Sequence, residues 1–456
     1  MMEVLIAAPA SGGGKTTLTC GLLAALKERG HNPCALKCGP DYIDPMFHRG
    51  VLGVESHNLD LFLTGPEALR QAYARWCRGH SAAVCEGAMG LYDGVGGSTH
   101  WASAWHVADT LKLPVILAVR PQGASLTLAA QIRGLQAFRA DSRIRGLILN
   151  DCRPALCRSL APMLERETGL AVLGCLPHVE GAEVASRHLG LYTPAEIRDL
   201  SGRTARIARA LEANVDLDRL EKLCQTEDRR EKPGGYPCAA AGVRVAAASD
   251  KAFCFVYPET LEALRAAGAE PVPFSPLEDA ALPQGIGGLY LPGGYPELYG
   301  EALAANGPMR DQIRAAVLGG MPTVAECGGF LYLGQSLQDQ NGQVWPMAGV
   351  LPGRGIPAGK LVRFGYAHLK SKADSLLFRR GERVPVHEFH YWDSTENGID
   401  FELEKPVTGR KWVCGFGTDT LYAAFPHLYL MGRPELAERF AAAARNYADK
   451  RADHGT

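Results

Sequence analysis

An apolar run at Val4–Ala8 is followed by Ser11-Gly12-Gly13-Gly14-Lys15-Thr16-Thr17 and then by a helix-like pattern through about Arg29. A glycine-rich turn between a strand and a helix lets several backbone N–H groups converge beside the positive end of the helix dipole. That arrangement calls for an anion. Lys15 is suited to neutralise β- and γ-phosphates, and the Thr16 hydroxyl to ligate Mg²⁺. Gly12, Gly13, Gly14 and Thr17 complete the candidate nucleotide loop. The strict G-x-x-x-x-G-K-[ST] pattern fails at its first position, which is Pro9, so a plain glycine-rich turn is the competing reading.

A strand that feeds a helix through such a loop belongs in a parallel sheet, and the following sequence keeps that rhythm. Short β-rich runs at Asn32–Lys37, Ala82–Glu86, Pro114–Val119 and Arg145–Asn150 are separated by helix-like stretches. The alternation predicts an α/β fold with a mostly parallel sheet. Residues 197–224 read as helical. The polar stretch from Gln225 to Pro237 then reads as a linker, and a second strand series opens at Val243–Ala247, Gly288–Leu291 and Thr323–Glu326. At 456 residues the chain exceeds what one core usually supports, so the expected organisation is an ATP-binding domain at 1–224, a linker at 225–241 and a second α/β domain at 242–447.

The balance of 48 basic against 49 acidic residues argues against a broad nucleic-acid footprint or a polybasic membrane anchor. No run approaches the roughly 18 apolar residues of a membrane helix, and the start lacks the features of a signal peptide, so a cytoplasmic protein is expected. The 13 cysteines are scattered without a C-x-x-C pair and read mainly as small packing residues.

Two further runs suit a metal–nucleotide site. Lys37-Cys-Gly-Pro-Asp41-Tyr-Ile-Asp44-Pro-Met-Phe-His48 starts at the end of the second predicted strand, and Glu86-Gly-Ala-Met-Gly-Leu-Tyr-Asp93-Gly ends a third. Ligands of open parallel sheets bind beyond the carboxyl ends of the strands. Lys37 is therefore a phosphate-binding candidate, and Asp41, Asp44 and Glu86 join Thr16 as candidate magnesium ligands. Each carboxylate alone also suits a loop cap; their coincidence beside one phosphate loop favours the metal.

In the second half, Thr323-Val-Ala-Glu326-Cys327-Gly328-Gly329 reads as a strand, a tight turn and a helix start. Such an elbow exposes a nucleophile, and a helix N-terminus is expected to lower the thiol's pKa. The Gly328 N–H is suited to stabilise an oxyanion, with a second donor from the Gly293-Gly294 loop. Cysteine needs a base. His427 is one candidate; His387 and His390 are its rivals.

With both sites in view, the chain resembles the cobyrinic acid a,c-diamide synthase family over nearly its whole length. The match rests on Gly12–Thr17, the 37–48 and 86–94 runs, Ser186-Arg-His-Leu-Gly-Leu, Phe253-Cys-Phe-Val-Tyr-Pro-Glu, Leu291–Gly300, Glu326-Cys-Gly-Gly and Glu388-Phe-His-Tyr. The resemblance implies a dethiobiotin-synthetase-like P-loop NTPase domain fused to a class I, triad-type glutamine amidotransferase domain. It implies Cys327 as nucleophile and His427 as its base, beside the oxyanion hole expected from Gly294 and Gly328. It also implies ATP and L-glutamine as co-substrates, Mg²⁺, and a corrinoid or related tetrapyrrole whose a- and c-acetates become amides through acyl phosphates. Hydrogenobyrinate or nickel sirohydrochlorin would use the same chemistry, a P-loop ATPase acting through protein partners is a remote alternative, and a homodimer is compatible with this reading. Two departures stand out. Ala8 and Ala10 replace the family's first loop glycines, and Tyr429 occupies the position where class I glutaminases often carry the triad glutamate.

Overall fold

The computed structural model describes residues 1–181, 186–187, 190–191, 199–226 and 242–454. The chain divides into two compact units, Met1–Gly234 and Gly235–Thr456. Residues 227–241 of the expected linker lie outside the described residues. Gln225 and Thr226, also expected there, are instead paired with the N-terminal strand: Gln225 bridges Met2, and the Thr226 N–H donates to the Met1 carbonyl at 3.0 Å.

In the first unit seven strands form one parallel sheet: β1 (Met2–Ala7), β2 (Pro33–Cys38), β3 (Ser56–Leu59), β4 (Ala82–Glu86), β5 (Val115–Val119), β6 (Ile144–Asn150) and β7 (Ala171–Leu176), in the order β3-β2-β4-β1-β5-β6-β7. Every residue of β1, β2 and β4 is buried, the signature of parallel strands covered on both faces. Val4 and Ile6 of β1 share a core with Leu18, Leu22 and Leu26 of helix α1 (Lys15–Glu28). The order reverses around β1, and the loops after β1, β2 and β4 carry the candidate nucleotide residues. Register makes this tight: Glu86 pairs with Ile6 on one side and with Lys37 on the other.

The helical stretch expected at 197–224 is two helices, Leu200–Asn214 and Leu217–Leu223. They are split where Val215 goes extended and the Asp216 carboxylate caps the second by accepting from the Arg219 N–H at 2.9 Å. Strand β3, with the polar sequence Ser-His-Asn-Leu, is not visible in a hydrophobicity pattern.

The second unit is built on a six-stranded sheet in the order Ala269–Phe274, Val243–Ala248, Ile286–Leu291, Thr323–Glu326, Leu421–Ala424, Phe416–Gly417, parallel except for its last pair. Alternation along these strands feeds two cores. Tyr290, Val324, Tyr422 and Ala424 enter one, and Leu289, Leu291, Ala325 and Ala423 the other. A four-stranded antiparallel sheet, including Arg363–Ser371 and Arg383–His390, adds to the unit. The last helix, Pro434–His454, runs beyond the domain end expected at 447. Among the described residues no helix is long and apolar enough to cross a membrane.

Candidate active sites

In the first unit the loop after β1 closes tightly. Gly12 and Gly14 adopt φ values of 74° and 87°, the left-handed region that glycine enters without steric cost. A methyl group on Gly14 would fall 1.9 Å from Asn150 Nδ2, and one on Gly13 would fall 2.5 Å from the Ala8 Cβ. Asn150, at the end of β6, donates from Nδ2 to the Gly13 carbonyl at 3.0 Å. Lys15 folds back over the loop and donates to the Met89 carbonyl at 2.5 Å and the Ala10 carbonyl at 3.3 Å. Burial, then the neighbouring Lys37 ammonium, holds its pKa below the usual lysine value. Thr16 and Thr17 lie in the first turn of α1, and the Thr16 hydroxyl donates to Glu86 Oε1 at 2.6 Å.

Lys37, Asp44 and Glu86 form a buried network. The Lys37 ammonium donates to Asp44 and to Glu86 Oε1, the latter at 2.8 Å. Lys37 is thus held between two carboxylates, which raise its pKa well above the usual value against the opposing effect of burial. For Asp44, burial alone would raise the pKa, but the ammonium outweighs it and the net shift is downward. Glu86 is pushed up to about 7, first by burial and then by Asp44. His48, fully buried, donates or accepts at Nδ1 with Ser56 Oγ at 3.0 Å and lies 3.9 Å from Glu86 through Nε2. Burial pushes its pKa down to about 4, so it stays neutral near pH 7 and adds no counter-charge.

Asp41 is positioned differently from the other candidate metal ligands. Its Oδ1 accepts from the backbone N–H groups of Ile43 at 2.9 Å and Asp44 at 3.2 Å, opening helix α2 (Ile43–Leu52). Its other oxygen is 3.9 Å from the Lys37 ammonium. The cap reading therefore accounts for Asp41 better than metal ligation does. Asn58 of β3, which no sequence pattern singles out, pins this turn by donating to the carbonyls of Gly39 at 2.9 Å and Asp41 at 2.6 Å.

The residues fit a magnesium ion in one respect. Glu86 Oε1 is occupied by Thr16 and Lys37, whereas the buried Oε2 has no hydrogen-bond partner among the described residues. An orphaned carboxylate oxygen beside a phosphate loop is the kind of acceptor a hard cation satisfies. No group of three His, Cys, Asp or Glu side chains converges on a metal position among the described residues. Magnesium bound through phosphates and one or two carboxylates does not require such a cage.

In the second unit Cys327 sits at φ 48°, ψ −102°, between the Thr323–Glu326 strand and the six-residue helix Gly328–Leu333. A side-chain residue in the positive-φ region is strained, and strain of this kind is what lifts a nucleophile onto an elbow. Small residues surround it of necessity. A methyl on Gly329 would fall 2.1 Å from the Leu291 carbonyl, and one on Gly328 would fall 3.0 Å from the Gly294 amide nitrogen. The Gly328 and Gly294 backbones are therefore neighbours. A methyl on Gly293 would fall 2.5 Å from His427 Cε1 and 3.4 Å from Cys327 Cβ, so base and nucleophile flank one bare stretch of backbone.

The expectation of a lowered thiol pKa is not met. Burial, followed by the negative fields of Glu297 and Glu388, pushes the Cys327 thiol well up, and the hydrogen bond from the Gly328 amide offsets this only in part. The site is dry and acidic, and both properties disfavour the thiolate.

Of the three candidate histidines, His427 is the one whose ring lies against the Gly293 stretch beside Cys327 in the contacts a Gly293 methyl would make. His387 pairs with it through the backbone, with His427 N–H donating to the His387 carbonyl at 2.8 Å, but the two rings are 6.5 Å apart. His390 stacks on Phe425 at 3.8 Å and bonds Glu388 through Nε2 at 2.9 Å.

Comparison with known proteins agrees with both halves. Residues 4–191 match the model of the CobQ/CobB/MinD/ParA nucleotide binding domain, and residues 244–424 that of the CobB/CobQ-like glutamine amidotransferase domain. The chain is 38% identical to the cobyrinate a,c-diamide synthase of Salmonella typhimurium, over 97% of this chain and 98% of that protein. It is 36% identical to the cobyrinate a,c-diamide synthase of Caldanaerobacter subterraneus, over 98% and 99%. It is 37% identical to the hydrogenobyrinate a,c-diamide synthase of Thermobifida fusca, over 97% and 96%.

Proposed function

The chain belongs to the cobyrinate a,c-diamide synthase family, and on that premise we propose that it converts the a- and c-acetate carboxylates of cobyrinate to amides. It is an ATP-using, glutamine-hydrolysing ligase of cobalamin biosynthesis. The observation that carries the catalytic reading is the strained Cys327 beside His427, with the Gly328 and Gly294 amides close to one another.

A carboxylate resists amidation because oxide is a poor leaving group. ATP converts it to an acyl phosphate that ammonia can attack. On the first unit, Lys15 and the Gly12–Gly14 amides hold the phosphates, and Lys37 fixes the carboxylates that face them. Thr16, Glu86 and Asp44 are the residues that would hold Mg²⁺, whose chemistry is to neutralise charge on the transferring phosphoryl group. Asp41 shapes the turn that presents Asp44.

On the second unit, His427 takes the Cys327 proton as sulfur attacks the glutamine side-chain carbonyl. A thiol with a raised pKa stays protonated at rest, so proton transfer accompanies attack. The Gly328 and Gly294 N–H groups stabilise the oxyanion, and His427 returns the proton to the departing ammonia. Water then hydrolyses the thioester. Each amide consumes one ATP and one glutamine.

A second acceptor, hydrogenobyrinate, is favoured by the near-equal identity to the Thermobifida fusca relative. Mass analysis after incubation with ATP, magnesium, glutamine and each macrocycle separates the two. Two successive acid-to-amide conversions of cobyrinate are expected. Diamidation of hydrogenobyrinate alone would move the assignment to that acceptor, and an unchanged mass with both would overturn it.

A further inference from the structure

We propose that Glu326 is the positioning carboxylate of the glutaminase site, orienting His427 through Nδ1 and supplying the acid that position 429 lacks. The inference rests on the reading of Cys327 and His427 as nucleophile and base. Tyr429 packs edge-on against Tyr257, with ring centroids 5.0 Å apart, and brings no carboxylate. Glu326 Oε2 lies 3.7 Å from His427 Nδ1, and both residues are 2% exposed.

Strand register produces this contact. Glu326 pairs with Ala424 on the neighbouring parallel strand, and His427 follows three residues later. Glu326 Oε1 accepts from the Leu428 N–H at 3.0 Å, which ties the carboxylate to the backbone just after the histidine. Its Oε2 accepts from the Tyr290 hydroxyl at 3.1 Å. The histidine backbone is held from the other side by its two hydrogen bonds with His387, whose ring burial keeps neutral by pushing its pKa down to about 3. Glu388 serves another histidine: its Oε1 meets His390 Nε2 at 2.9 Å and Arg363 at 3.1 Å.

Consecutive residues thereby divide two roles. Tyr290 and Leu428, which bind Glu326, belong to one core of the sheet, and Cys327 belongs to the other. A carboxylate 3.7 Å from Nδ1 favours the tautomer that carries its proton on that nitrogen, which makes Nε2 the acceptor of the thiol proton, and it stabilises the imidazolium formed in the reaction.

Glu326→Gln in the full chain tests this, because its amide oxygen can still accept from the Leu428 N–H and its NH2 can donate to the Tyr290 hydroxyl, while the charge is gone. Glutaminase kcat is expected to fall at least about tenfold with KM for glutamine little changed, the acidic limb of the pH–rate profile moving to lower pH. A fall smaller than tenfold, in a protein with wild-type thermal unfolding, would overturn the role. If that variant does not fold, Tyr290→Phe decides: losing the hydroxyl leaves more of the Oε2 charge to His427, so the acidic limb should move to higher pH. An unmoved profile rejects the proposal. Cys327→Ser in the same assay isolates the premise. Retained glutaminase activity in it would reject the nucleophile itself, whereas an inactive Cys327→Ser beside a fully active Glu326→Gln rejects only Glu326.

Discussion

At the scale of single residues, the first unit stores two carboxylates around one ammonium, and charge accounting decides what each can do. Asp44 and Glu86 both contact Lys37, but only Asp44 is held fully ionised by it. Asp44→Asn keeps shape and a hydrogen-bond acceptor while losing the charge. It is expected to fold and to lose most synthesis, measured as initial rates with ammonium chloride as nitrogen donor, with partial recovery at raised magnesium. Asp41→Asn should be milder, because asparagine caps a helix nearly as well as aspartate; a stability change within about 0.5 kcal/mol is expected. Glu86 has the opposite sign from Asp44. A carboxyl whose folded pKa is raised contributes stability below its ordinary value near pH 4.5 and loses it as pH rises through about 7. Neutral His48 runs against this: its depressed pKa costs stability as pH falls from its ordinary 6.5 toward about 4. Above pH 7 the Glu86 penalty is complete and stands beside that of Asp41, whose carboxyl burial and then Asp44 push up to about 6. Glu86→Gln should therefore raise the unfolding midpoint of the ligand-free protein at pH 8 relative to wild type, with a smaller gain at pH 5.5, while eliminating synthesis. An equal midpoint at both pH values would mean that Lys37 fully compensates the buried charge.

At the scale of elements, the phosphate loop was legible because three constraints coincide in a few residues: an apolar strand, positive-φ glycines and a helix start. The elbow at Cys327 was legible for the same reason. Strand β3 was not, since Ser-His-Asn-Leu is buried through polar contacts that leave no hydrophobic alternation. Nor was Ala269–Phe274, whose Pro271 and Pro273 are tolerated because the strand lies at the sheet edge. Site residues followed the same division. Lys37 and Glu86 sit at strand ends and Asp44 in the first turn of the helix after β2, where sequence position determines location. Asn150 and Glu326 act through partners 137 and about 100 residues away, a relation only the sheet order creates. Asn150 also shows what one such partner holds. Its amide closes the loop onto β6, so Asn150→Ala should free the Gly13 carbonyl at a stability cost of about 1–2 kcal/mol. It should raise KM for ATP more than it lowers kcat, since the loop must then be ordered by the nucleotide. Unchanged KM in steady-state kinetics would assign Asn150 to packing alone.

At the scale of the whole molecule, the two units carry halves of a reaction that share a single small intermediate. Ammonium cannot attack an acyl phosphate, because its lone pair is occupied; only the neutral form can. The glutaminase half is needed because it releases nitrogen unprotonated from an amide, and the ATP half because a carboxylate must be activated before ammonia can displace its oxygen. If the halves are chemically independent, they fail independently. Cys327→Ser should lose glutamine-dependent synthesis by at least about a hundredfold, yet make diamide from ammonium chloride at a rate that climbs with pH as the neutral fraction grows. Lys15→Ala should lose synthesis with either nitrogen donor while still hydrolysing glutamine at a basal rate, because the proposed role of its charge is on the phosphates and not in the glutaminase unit. The informative comparison is the slope of rate against pH. Wild type fed glutamine should lack the steep rise seen for Cys327→Ser fed ammonium, since its ammonia does not come from the bulk equilibrium. Identical slopes would mean that ammonia made by Cys327 equilibrates with solvent before it is used, and a Cys327→Ser enzyme inactive with both donors would mean that the two halves are not separable.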